Sequence, residues 1–95
     1  MRVRFHIERD TGLPHIHAHG VWESEVREIL RRPGEDRPGA EDSRVAIGQT
    51  SAGRYLRVIY VPDPEPEGVF VITAYELTGG ALTAYRRRRR KRERQ

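Results

Sequence analysis

The sequence predicts a small α+β domain: an antiparallel sheet of three to four strands packed by one central helix, with a basic helix at the C-terminus. Three observations carry this. Residues 2–8 and 55–61 alternate apolar and polar side chains with the period of a strand. Residues 22–32 repeat apolar side chains at helical spacing. Three strand-like segments then follow one another across short breaks, the layout of an antiparallel meander.

In order along the chain, "RVRFHIE" (2–8) puts Val3, Phe5 and Ile7 on one face and Arg2, Arg4, His6 and Glu8 on the other. "RDTG" (9–12) is a turn, because Asp, Thr and Gly each favour one for local reasons. "LPHIHAH" (13–19) reads two ways. As a strand it pairs with the first and sets His6 opposite His15. As a short helix it begins at Pro14 and ends at Gly20, where glycine tolerates a left-handed cap. "WESEVREILRR" (22–32) is the clearest helix, with Trp22, Val26, Ile29 and Leu30 as its apolar stripe. Glu23 and Glu25 in its first turn and Arg31 and Arg32 in its last suit the helix dipole. Pro33-Gly34 stops it, and 33–43 is a polar loop expected to be the most mobile part of the body. Strands follow at 44–50, 55–61 and 69–77, the last apolar on both faces and therefore central. "PDPEPEG" (62–68) is too rich in proline for a ladder strand. "TGG" (78–80) ends the last strand. Residues 81–94 form a helix that docks one turn through Ala81, Leu82 and Tyr85.

Ninety-five residues fit one domain. Its body spans 1–85 and an arginine-rich extension spans 86–95. Of the eighteen Lys and Arg residues, eight fall in 86–95 beside one acidic residue, so this segment carries +7 and the body −3 of the total +4. No apolar run approaches a membrane span, the start lacks a signal-peptide core, and a cytoplasmic location is expected. Without cysteine there is no disulfide or thiolate metal site.

Three sets of residues carry chemistry. Arg86, Arg87, Arg88, Arg89, Arg90 and Lys91 favour a polyanion, since each neutralised phosphate adds salt-dependent affinity. The alternative is a solubilising tail. His6, His15, His17 and His19 could share one face and bind zinc or nickel, or could simply line a polar edge without a cofactor. Arg44, Arg54 and Arg57, with Tyr55, Tyr60 and Tyr75, form the third set. A guanidinium stays charged and suits a phosphate or a developing negative charge, and a tyrosine donates a proton or stacks on a base. Cleavage of RNA by 2′-hydroxyl attack needs such groups and no metal. Alternatively, these arginines occupy the solvent face of a sheet.

"HGV" before the helix, "IGQTSAGRYLRVIY" (47–60), "VFVITAYEL" and the basic helix together resemble the BrnT-type toxins, RelE-like ribonucleases of type II toxin–antitoxin pairs. The likeness runs over residues 5–90. Its most specific part sets Gly48, Thr50, Gly53 and Arg54 where those toxins carry "IG-T--GR-L-V-Y". The resemblance implies a RelE-like fold, a toxin that binds RNA at the ribosome and cleaves it without a metal, an antitoxin partner and no cofactor. It singles out His19, with His15 and His17 incidental; on this reading His19 or Tyr75 handles protons and Arg44, Arg54 and Arg57 hold the phosphate. The sequence departs from the pattern at Tyr75 and Glu76, where the toxins are basic, and at Ala81, where they are acidic. A module on the same fold that binds nucleic acid without cutting it is the alternative.

Overall fold

The computed structural model describes residues 1–64 and 67–93. The proline-rich segment 62–68, the predicted helix 81–94 and the arginine-rich extension 86–95 lie partly outside these residues. The elements are β1 (Arg2–Phe5), a 3₁₀ helix (His15–His19), α1 (Glu23–Arg31), β2 (Glu35–Pro38), a 3₁₀ turn (Ala40–Asp42), β3 (Arg44–Gln49), β4 (Tyr55–Pro62), β5 (Gly68–Glu76) and α2 (Gly79–Glu93). The class is α+β. No helix among the described residues is long and apolar enough to cross a membrane.

The sheet has five strands in the order β1-β5-β4-β3-β2, not three to four, and it is mixed. β2 to β5 pair antiparallel in sequence order, whereas β1 lies parallel to β5. The added strand β2 falls inside the segment read as a loop. Its sequence, EDRP, has no apolar alternation because it is an edge strand with one ladder, to β3. Its acidic side chains are held instead: Glu35 accepts from Arg88, and Asp36 accepts from Arg44 and Tyr60. β5 is interior, but the central strand is β4.

One sheet face carries the main core. Val26 and Ile29 of α1, with Ile16 and Val21 before it, bury Ala46, Leu56, Val58, Tyr60, Val71 and Ala74. Full burial of a side chain such as Ile29 or Leu56 is worth about 1.5–3 kcal/mol. Trp22 does not join this stripe: it caps the helix and is 60% exposed. The opposite face is covered only in part, by Leu82 and Tyr85 of α2 against Val45, Ile47, Tyr55, Ile59 and Leu77.

Val71 and Ala74 both face the main core although they are three residues apart. A bulge reconciles them. Ile59 pairs with Thr73 and Tyr60 with Val71, so Ile72 has no opposite number. The bulge thereby sets Thr73 and Tyr75 on the partly open face, beside Arg57 and Ile59.

Candidate functional site

The histidine segment takes its helical reading. Pro14 precedes the 3₁₀ helix, and Gly20 closes it at φ 71°, a left-handed conformation that glycine adopts without penalty. Part of the strand reading survives: Ile7 and Pro14 form a single bridge, the His15 N–H donates to the His6 carbonyl, and the two imidazole centroids lie 5.7 Å apart.

This geometry lines up an array. The Glu8 carboxylate is hydrogen-bonded to His15 Nδ1. His15 Nε2 lies 3.3 Å from His19 Nε2. The His19 ring then meets Tyr75, with centroids 6.1 Å apart. A carboxylate accepts only, so His15 Nδ1 carries the proton in that bond. In the neutral array His15 Nε2 is then the acceptor, His19 Nε2–H is the donor, and His19 Nδ1 keeps a lone pair. The rings form a chain rather than converging on a point. Among the described residues no group of three or more His, Asp or Glu is arranged to hold a metal ion. His17 leaves the array: its Nε2 bonds Glu23 at 2.6 Å and its ring packs on Trp22. That hydrogen bond holds the Glu23 carboxyl below its usual range.

Arg57 stands directly across from Tyr75 in the β4–β5 register. Its Nε is buried with no hydrogen-bond partner, and so is Thr73 Oγ1. The two residues are diagonal neighbours on one face, about 7–8 Å apart at the backbone and within reach of a long side chain. Two buried donors without acceptors are costly to keep. Both atoms are shut off from solvent, so an anion would meet them only after the Arg57 side chain moved.

The other two arginines are committed elsewhere. Arg54 Nη1 donates to both oxygens of Glu25, at 2.8 and 3.1 Å, and Nη2 lies 3.6 Å from Glu76. Glu25 also accepts the Trp22 N–H, so Arg54 ties the β3–β4 turn to the start of α1. Glu76, which looked like a lost positive charge, is part of this clasp. Arg44 bonds Asp36, which also accepts from the Tyr60 hydroxyl at 2.6 Å. Burial, with the Asp36 bond second, pushes the Tyr60 hydroxyl's pKa up. Arg44 lies three register steps from Arg57, about 10 Å along the sheet.

The most distinctive sequence motif is a turn. Thr50 Oγ1 accepts the Arg54 N–H, and the Gly53 N–H donates to the Thr50 carbonyl. Ile29 Cδ1 sits 3.3 Å from where a Cβ on Gly48 would be, so a side chain there would press on α1 through Ile29.

In the basic helix, Arg88 donates to both Glu35 oxygens and Arg89 Nη1 to the Gly34 carbonyl. Arg86 lies over the Tyr55 ring. Arg87, Arg90 and Lys91 make none of these contacts and are exposed.

The structure thus brings His19, Tyr75 and Arg57 near one another, with the paired Arg54 guanidinium beside Gly20 and Glu76, and sets Arg44 apart. It adds Glu8 and Thr73, which sequence reasoning passed over, and gives a place in the array to His15, which the resemblance left incidental. For Glu8 the signal was its place near His6 at the end of the first strand. For Thr73 there was none, because the bulge decides its face. No protein-family model matches the chain, and neither curated proteins nor solved structures give a significant match.

Proposed function

We propose that the chain binds RNA and cleaves it without a metal, as the toxin component of a toxin–antitoxin pair. The carrying observation is the Glu8–His15–His19 array ending at Tyr75, across the strand from Arg57 with its unpartnered buried Nε. In this reading His19 Nδ1 takes the proton of a ribose 2′-hydroxyl. The 2′-oxygen bonds to the adjacent phosphorus and the bond from phosphorus to the 5′-oxygen breaks. The Tyr75 hydroxyl donates a proton to that leaving oxygen. Arg57 and Thr73 hold the non-bridging oxygens, where charge builds up in the transition state. The products are a 2′,3′-cyclic phosphate and a 5′-hydroxyl. The toxin assignment and the antitoxin partner rest on the resemblance to BrnT-type sequences; the chemistry rests on the residues above.

The test is incubation of purified protein with total RNA in the presence and absence of EDTA. Cleavage in both lanes supports the proposal. Intact RNA in both, with the protein folded, favours a module that binds without cutting.

A further inference from the structure

The C-terminal turn of α1 and the middle of α2 flank a cleft of about 710 Å³. Arg31 and Arg32 line it from α1, and Arg86, Arg89 and Arg90 line it from α2. These five guanidiniums face two carboxylates, Glu28 and Glu93. Several arginines elsewhere are paired: Arg44 with Asp36, Arg54 with Glu25, Arg88 with Glu35. In the cleft, Arg31, Arg32 and Arg90 have no ion pair among the described residues. Glu28 is itself occupied, accepting the Ser51 N–H. The fold therefore concentrates uncompensated positive charge between two helices that are distant in sequence. A solubilising tail would not require arginines from α1.

The floor of the cleft is aromatic. Tyr55 is half-buried there, edge-on to Tyr85 at 6.0 Å, with the Arg86 guanidinium 5.9 Å from its ring centre. A ring beside a guanidinium is a platform for a nucleobase, and the surrounding charge suits a phosphate chain. Tyr55 and Arg57 are alternate residues on the same face of β4, about 7 Å apart.

We infer that this cleft binds a single strand of RNA, with Arg31, Arg32 and Arg90 on its phosphates and Tyr55 and Arg86 beneath a base. The strand leads along β4 toward Arg57. That direction rests on the proposed cleaving site; binding in the cleft does not.

The experiment is a fluorescence-anisotropy titration of a short labelled 2′-O-methyl RNA, which has no 2′-hydroxyl and is not cleaved, at several salt concentrations. Loss of cleavage alone therefore leaves this measurement untouched. Arg31→Ala/Arg90→Ala should weaken binding and make the slope of log affinity against log salt shallower by about 1.4, from about 0.7 for each lost phosphate contact on a single strand. Arg9→Ala/Arg37→Ala removes equal charge from exposed positions outside the cleft and should leave the slope unchanged. Tyr55→Leu should weaken RNA binding about tenfold but leave the binding of inorganic polyphosphate as it was. Should Tyr55→Leu misfold, Arg86→Ala, at an exposed position, removes the other half of the platform and should weaken RNA binding more than polyphosphate binding. Equal effects of the two arginine pairs, or wild-type binding by the first, would overturn the assignment. So would RNA binding indifferent to both Tyr55→Leu and Arg86→Ala, which marks a general polyanion surface.

Discussion

The Nε2 atoms of His15 and His19 stand 3.3 Å apart, and the other nitrogen of the His15 ring is held by Glu8. At that contact one imidazole must donate and the other accept, so the pair shares a proton. His19 is exposed and His15 is half-buried behind it, which makes His19 the ring a substrate meets. On the proposed reading His19→Ala should lower single-turnover cleavage about 10²–10⁴-fold, the range for a general acid or base. His15→Ala and Glu8→Gln act through His19 and should cost less, while shifting the pH profile of the rate. Equal, small effects of all three would show that the array does not handle the proton.

Arg57 carries the second prediction. Its buried Nε lacks a partner, so the folded protein bears a desolvation cost there. Arg57→Met keeps the stem and removes the polar group. Thermal denaturation should show a gain of about 1 kcal/mol, while cleavage should fall at least about 10²-fold. A site that stores such a cost and pays no functional penalty when relieved would not be the phosphate site.

The seat of α2 depends on Gly34. A Cβ at this position would lie 1.9 Å from the Tyr85 hydroxyl oxygen. Tyr85 is the buried anchor of the helix, at 4% exposure. Gly34→Ala should therefore cost about 1–3 kcal/mol by overpacking and weaken RNA binding, because Arg86, Arg89 and Arg90 move with the helix. Chemical denaturation and the anisotropy titration check the two effects.

Glu35 gives a pH prediction. Its hydrogen bonds to Arg88 hold its carboxyl below the ordinary value of 4.5, against the opposing effect of burial. A carboxylate whose pKa is depressed by folding stabilises the protein fully above its unfolded pKa. That contribution is lost as the pH falls through the lower folded value. Melting temperature should thus decline below about pH 4.5. Glu35→Gln should be less stable than the wild type at neutral pH and show a shallower acid decline. Parallel melting curves for the two proteins from neutral to acid pH would contradict this.

The sequence made legible whatever rests on local period. The alternation in 55–61 is that of a strand with Leu56, Val58 and Tyr60 on one face, and all three are buried. Pro14 and Gly20 marked the ends of the histidine helix. Non-local decisions were not legible. β2 carries no apolar signal because its side chains are satisfied by Arg44, Tyr60 and Arg88, all distant in sequence. The parallel pairing of β1 with β5 joins residues more than sixty positions apart. For the candidate site, His19, Tyr75 and Arg57 were named from the sequence. Glu8 and His15 acquired their place only when the 3₁₀ helix folded back on the end of β1. Arg54 was recognised as special, but its partners, Glu25 and Glu76, make it a clasp between elements. Arg31 and Arg32 were read only as complements to a helix dipole, since nothing local shows that α2 lies across from them.

The most direct measurement is mass spectrometry of the ends left on a defined RNA after incubation with the purified protein in EDTA, run beside His19→Ala. A 2′,3′-cyclic phosphate and a 5′-hydroxyl, formed by the wild type and not by the variant, are the expected result. Intact RNA with folded wild-type protein, or the same products at the same rate from His19→Ala, would contradict the proposed function.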